Sequence, residues 1–332
     1  MKQMRRVDPG KGASLVGAGR SPRMMREGEG GAHTHPQYLP GGHADQQSLR
    51  PVVILGAARS GTKMLRDVLA SARGVNRVAY DINFVWRLGN ETAASDVLTR
   101  ADVPDAKVGA IRRYLRRQQG KAQFLVEKTV ANSLRPTFVS ALLPEAKFVV
   151  VVRDPVDVVE SAMRQWQAKP DLRYSLAKAR HYPWTLAPGY AARHLVAMGR
   201  RFTREDRALP PGWGPRYPGV HDDLAAGVPL LDVCLAQWLA CNQRMLTQVS
   251  ALRAPTVAIS YEALVAEPTL LNSLSLSLGL PAPDPAALRR INGDTAGRGS
   301  ATLSQAETSH IRHATRDVWD QWRDVAEARA VP

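Results

Sequence analysis

Few folds are open to a chain that reads Gly56-Ala-Ala-Arg59-Ser60-Gly61-Thr62-Lys63 between two regular elements. An apolar, β-branched run, Val52 to Leu55, comes before it, and Leu65, Val68 and Leu69 repeat at helical spacing in Thr62 to Ala72 after it. The pattern is strand, glycine loop, helix. The unpaired N–H groups and dipole of the helix start favour an anion there, so the loop reads as a phosphate cradle. A nucleoside-triphosphate loop would be G-x-x-x-x-G-K-[ST]; here the glycine spacing is kept, but Thr62 and Lys63 stand in the opposite order. Met64 then follows the lysine, where the metal-holding hydroxyl would be, and Arg59 offers a fixed cation inside the loop.

The rest of the chain repeats this alternation. Phe124 to Val126 is a second strand, and Asn132 or Ser133 caps a helix that Pro144 stops. Lys147 to Val152 is a strand apolar on both faces, and Asp154 with Pro155 opens the next helix as N-cap and first-turn proline. Leu230 to Leu252 reads as a long amphipathic helix, Thr256 to Ser260 as a strand, and Glu267 to Leu278 as a helix closed by Gly279. Strands alternating with helices imply an α/β protein of three layers, α/β/α, around a central parallel sheet. Order is expected from Pro51, one domain running over 51–332 behind a disordered basic tail, 1–50, which holds nine of the 25 glycines. Residues 167–229, with Trp184, Tyr190, Trp213 and Tyr217, read as an inserted acceptor-side region, and 292–305 as a flexible glycine-rich loop before a final helix with Trp319 and Trp322.

Composition narrows the partners. Forty-five Lys and Arg against 30 Asp and Glu give +15, which asks for an anionic ligand. The tail accounts for little of it, with eight Lys/Arg against four Asp/Glu. No basic stripe with interleaved aromatics marks a nucleic-acid module, and Arg113, Arg116 and Arg117 read as a solvated helix face. His33, His35 and His43 sit in the tail, where preformed metal geometry is not expected. Cys234 and Cys241, seven apart on one helix, are too distant for a disulfide and read as reduced core thiols. No apolar run approaches the roughly 20 residues of a membrane span, and no secretory leader is evident at Met1, so the expected compartment is the cytoplasm.

With these residues in view, the sequence resembles the sulfotransferases that use 3′-phosphoadenosine 5′-phosphosulfate (PAPS), the carbohydrate and tyrosylprotein types among them. Their 5′-phosphosulfate loop is similar to Arg59-Ser60-Gly61-Thr62, and their 3′-phosphate motif to Val151-Val152-Arg153-Asp154-Pro155 with Ser161 eight residues after the arginine. Glu127-Lys128-Thr129-Val130-Ala131-Asn132 resembles their E-K-T-P-x-N segment with valine for proline, and Tyr261-Glu262-Ala263-Leu264 their Y-E-x-L. The likeness runs from about Pro51 to Leu280 in short islands.

The resemblance implies a nucleotide-kinase-like fold and PAPS as sulfate donor, with no metal required. Donor contacts fall to Arg59, Ser60, Gly61, Thr62, Lys63, Arg153, Ser161, Tyr261 and Arg298; Arg59 and Lys128 become the electrophilic pair. The general base is expected at Asp81, 22 residues beyond Arg59, with Glu127 and His181, His194 or Asp222 as competitors. Arg153 paired with Asp157, leaving Ser161 a spectator, is the alternative at the second motif. The acceptor is read as a hydroxyl of a saccharide or glycolipid, from the aromatics and arginines of 167–229. Two rival functions stay open: a small-molecule kinase with Asp154 holding metal, and a noncatalytic basic binding protein for nucleic acid or acidic polysaccharide.

Overall fold

Every residue of β1 (Pro51–Leu55) is buried, and alternate ones serve opposite faces. Val53 and Leu55 belong to one apolar cluster, Val52 and Ile54 to another. A strand covered on both sides is the signature of a parallel sheet between helix layers. The computed structural model describes residues 48–168 and 213–328. In it β1, β2 (Val75–Arg77), β3 (Phe124–Glu127), β4 (Lys147–Val152) and β5 (Thr256–Ser260) form one sheet in the order β2-β3-β1-β4-β5. All four pairings are parallel, with Val52 opposite Val126, Val53 opposite Phe148 and Val152 opposite Ser260.

Twelve α-helices surround the sheet among the described residues: α1 (Thr62–Leu69), α2 (Asn83–Trp86), α3 (Asp105–Gln119), α4 (Pro136–Leu142), α5 (Pro155–Gln167), α6 (Val220–Ala225), α7 (Leu230–Val249), α8 (Tyr261–Ala266), α9 (Leu270–Ser277), α10 (Pro285–Leu288), α11 (Arg298–Thr302) and α12 (Gln305–Ala328). One face is covered through Trp86 of α2, Ile111 and Leu115 of α3, Phe138 of α4, Trp238 and Met245 of α7 and Trp322 of α12. The other is covered through Leu65 and Leu69 of α1, Leu264 of α8, and Leu271 and Leu274 of α9. Each such side chain taken fully from water contributes roughly 1.5–3 kcal/mol before conformational entropy is counted. The expected three-layer α/β/α architecture is what the chain adopts.

Several local expectations need correction. Asn132 and Ser133 lie within a 3-10 turn, Val130–Leu134, and α4 starts only at Pro136, whose ring presets the first helical φ. Both side chains are bonded elsewhere, as described below. The helix expected over Glu267–Leu278 is α9, which starts only at Leu270; a separate short helix, α8, precedes it, and Pro268 stands between the two. Gly279 closes α9 at φ +63° as foreseen. The 292–305 loop contains the short α11. Edge strand β2 escaped notice because it is three residues long with one buried. The ordered core begins before Pro51, since Leu49 is buried and the Arg50 N–H donates to Gln119 Oε1 at 3.0 Å. The tail readings, including His33, His35 and His43, lie outside the described residues, as do His181, Trp184, Tyr190 and His194. Within the described part of 167–229, the Trp213 ring meets Trp166 edge-on at 6.3 Å, and Tyr217 donates to Asp223 at 2.5 Å. No helix among the described residues is long and apolar enough to cross a membrane.

Candidate active site

In an open parallel sheet, ligand crevices form beyond the carboxyl ends of strands where successive connections leave to opposite sides. That point here lies between the neighbours β1 and β4: α1 follows β1 onto one face, while α5 follows β4 and contributes Val158 to the core of the other. The glycine loop leaves the end of β1, and Arg153 leaves the end of β4.

The loop is tightly determined. A Cβ on Gly56 would come 2.8 Å from the Val151 carbonyl oxygen and 2.7 Å from Thr62 Cγ2, so only glycine fits between the strands. The buried Ser133 hydroxyl accepts from the Gly56 N–H at 2.9 Å and donates to the Gly56 carbonyl at 2.7 Å. Ser60 and Thr62 are buried beneath the turn. Gly61 takes φ +84° against the Tyr261 ring. Arg59 is the sole non-glycine residue at positive φ among the described residues, at +74°. For a bulky L-residue this conformation costs about 1–2 kcal/mol and recurs at ligand-binding loops.

What that strain achieves is visible in the side chains. Arg59 Nε donates to Ser161 Oγ at 2.9 Å, and Arg153 Nη1 donates to the Arg59 carbonyl at 3.1 Å. Arg164 also reaches Ser161 Oγ, at 3.3 Å, while holding Glu160 at 2.9 Å. Two guanidinium groups thus share the Ser161 hydroxyl, and a third, Arg153, is fastened to the backbone of Arg59. Desolvation, then the neighbouring Arg164 and Arg153 charges, lower the pKa of Arg59 from its ordinary value. Like charges held this close are relieved by an anion. Arg153 Nε is buried without a hydrogen-bond partner.

The second motif is braced from behind. Arg153 pairs with Asp157 at 3.4 Å, the contact weighed as an alternative from sequence, yet Ser161 is no spectator because it accepts from Arg59. Asp157 also accepts from the Gly297 and Gly299 N–H groups at 2.8 and 2.7 Å, which ties the segment around Arg298 to the start of α5. Arg153 donates to the Thr295 carbonyl, its guanidinium lies 4.2 Å from the Tyr261 ring centroid, and the Tyr261 hydroxyl meets Thr295 Oγ1 at 2.8 Å. Arg298 itself is exposed. Asp154, the metal ligand of the kinase alternative, is the N-cap of α5, accepting from Val156 at 2.8 Å and Asp157 at 3.3 Å.

A second cluster stands at the end of β3. Lys128 Nζ is 2.7 Å from Asp81 Oδ1, with the lysine largely buried and the aspartate 28% exposed. Glu127, by contrast, is fully buried and accepts from Thr129 at 2.6 Å, Asn132 at 3.1 Å and Trp86 at 3.2 Å. Burial outweighs those donors and pushes its pKa up to about 7. Asn132 in turn accepts from Arg135, which donates to Asn83, and Asn83 donates to Asp96, paired with Arg87 and Arg216. Of the residues singled out from sequence, Arg59, Arg153, Ser161 and Tyr261 meet directly; Lys128 and Asp81 meet each other; Lys63 stands apart, 3.1 Å from Asp67 on the exposed side of α1. Asp222 lies exposed in the first turn of α6. Sequence reasoning overlooked Arg164, whose spacing of three from Ser161 on one helix was the available signal. It also overlooked Asp157 as the anchor of 295–299, and nothing in the sequence marks that long-range bond.

The geometry is that of an α/β protein with guanidinium groups clustered at the carboxyl rim of a parallel sheet. The family model described as the sulfotransferase family matches residues 51–211, just under half of the chain. The chain is an enzyme, a sulfotransferase. No curated protein matches the chain in sequence. Solved structures it is similar to include a sulfotransferase from Alicyclobacillus acidocaldarius, 15% identical over 83% of this chain and 99% of that one, with TM-score 0.44. A mouse sulfotransferase complexed with PAP aligns at 12% identity over 86% and 89%, TM-score 0.45. The sulfotransferase domain from the curacin biosynthetic pathway aligns at 18% over 84% and 92%, TM-score 0.41.

Proposed function

We propose that the chain moves a sulfuryl group from PAPS to a hydroxyl acceptor, a saccharide or glycolipid. The observation that supports this best is that Arg59 and Arg164 both donate to Ser161 while Arg153 donates to the Arg59 carbonyl, which brings the two anion motifs together. The cleft suits a nucleotide with anionic groups at both ends: it holds an excess of guanidinium charge, a buried Arg153 Nε with no partner, and a loop trimmed to glycine where backbone must approach. When bound, the donor would supply the activated sulfuryl group.

In this reading the N–H groups at the start of α1 and Arg59 hold the phosphosulfate end, on the turn made by Ser60, Gly61 and Thr62, with Lys63 contributing backbone. Arg153, Ser161 and Arg164 hold the 3′-phosphate end, and Tyr261 and the Arg298 segment flank the space between. Lys128, with Arg59, neutralises charge developing on the leaving oxygen. Asp81, oriented by Lys128, takes the acceptor proton; Glu127, buried and committed to three donors, has no access to an acceptor. The side-chain cations meet the charge demand, so the reading calls for no metal. The acceptor class rests on the aromatics and arginines of 167–229. A cytoplasmic setting rests on the two buried free thiols, Cys234 and Cys241.

Calorimetry with adenosine 3′,5′-bisphosphate, with and without magnesium, tests the donor half. Micromolar binding independent of metal and lost in Arg153→Ala is expected. A folded protein giving no heat, or binding only with magnesium, would overturn it.

A further inference from the structure

The carboxyl rim of the sheet is occupied by the cradle, but a second charged cavity opens at the opposite rim. It measures about 510 Å³ and lies at the first residues of β1, β3 and β4. That volume falls within the range of small-molecule sites. Four cations line it, Arg50, Arg112, Arg116 and Lys147, against the single carboxylate of Glu145. Arg112 grips Glu145 with two prongs, at 2.6 and 3.0 Å, so those two charges cancel.

Three cations are left over. The Arg50 guanidinium lies 4.2 Å from the Phe124 ring centroid, and Lys147 Nζ donates to the Leu278 carbonyl at 2.6 Å. Arg116 Nε is buried with no hydrogen-bond partner. A ring face and a carbonyl supply only partial negative charge, so none of the three meets a full counter-charge among the lining residues. Structural packing alone gives no reason to gather them, because neutral side chains fill space without mutual repulsion. The cavity is a full strand length from the cradle, roughly 17 Å for five residues, and on the rim where parallel sheets do not place their reacting ligands.

We propose that this cavity binds a small polyanion carrying two phosphate or sulfate groups, as a second ligand remote from the reaction. One tetrahedral oxyanion would fill only a small part of the space, whereas two linked groups bring charge enough to face three cations. Arg113 and Arg117, exposed on the same helix as Arg112 and Arg116, add to its positive charge. The inference stands on the cavity itself and not on the donor reading.

Titration calorimetry of the full chain at low salt with inorganic pyrophosphate, and in parallel with orthophosphate, tests it. Pyrophosphate is expected to bind more tightly than orthophosphate, to keep its affinity in Arg59→Ala, and to lose about tenfold or more in Arg116→Gln or Arg50→Gln. Unchanged affinity in both folded rim variants, affinity lost in Arg59→Ala, or no heat from the parent chain overturns the proposal. Should the rim variants fail to fold, the parent still decides: the Arg116 Nε–H resonance shifts as pyrophosphate is added, and an unmoved resonance overturns the site. Loss in Arg116→Gln alongside failed bisphosphate binding would leave this cavity standing and the donor reading fallen.

Discussion

Replacing Gly61 by alanine probes the contact on which the shape of the cradle depends. The added Cβ would lie 2.3 Å from Tyr261 Cδ2 and 2.8 Å from Cε2, at a backbone φ of +84°. The ring has little room to yield: Arg153 stacks on its face and its hydroxyl is bonded to Thr295. Left-handed geometry costs a non-glycine residue about 1–2 kcal/mol, and overpacking a filled site about 1–3 kcal/mol. The sum is about 2–5 kcal/mol, and each kcal/mol lowers the melting temperature of a protein near this size by about 2–4 °C. Gly227→Ala is the control, since Gly227 has φ +72° with nothing within 4 Å of the added carbon. Differential scanning calorimetry of both variants separates backbone strain from ring overlap. Gly61→Ala melts well below Gly227→Ala if Tyr261 is seated as described; equal melting temperatures refute the packing argument and with it the coupling of Tyr261 to the loop.

Asp81→Asn is expected to lower turnover on a hydroxyl-bearing reporter acceptor by about 100-fold or more while leaving bisphosphate affinity near the parent value by calorimetry; an equal loss of both would remove Asp81 from proton transfer. Because the folded-state pKa of Glu127 is raised to about 7, the folded chain keeps a proton that the unfolded chain releases. Stability should therefore be fullest below about pH 4.5 and decline toward pH 7, by about 3 kcal/mol or less from this group; chemical denaturation across that window should show a flatter profile in Glu127→Gln. Asp157→Ala removes the acceptor of the Gly297 and Gly299 amides, so amide exchange over 295–299 should accelerate, by about tenfold or more, with exchange in β1 and β4 unchanged.

The parts of the fold that were legible from the residues are those fixed by local chemistry. Lys147–Val152 is apolar on both faces and became a central strand with the bounds expected; Asp154 and Pro155 opened α5 as their cap and ring chemistry require. The cradle was legible because its glycines are demanded by nearby backbone and by φ, both of which leave a mark in sequence. Contacts between distant segments leave none. Ser133 bonded to Gly56 across 77 residues, Asp157 to Gly299 across 142, and Gly89 against Pro104 all follow from how helices settle on the sheet. The same reason explains Asn132 and Ser133, assigned to a helix cap from their type but recruited by Glu127 and Gly56 once the layers had formed.

The bonds from Arg153 and Asp157 to residues 295–299 also set a schedule. A ribosome makes both motif arginines long before it makes the segment that fastens them, so while the intervening residues are added the nascent chain carries a cluster of mutually repelling guanidiniums with its brace still missing. Any soluble polyanion at hand in that interval acts as a temporary counter-charge, and newly made chains should reach the native state faster in its presence than in plain buffer.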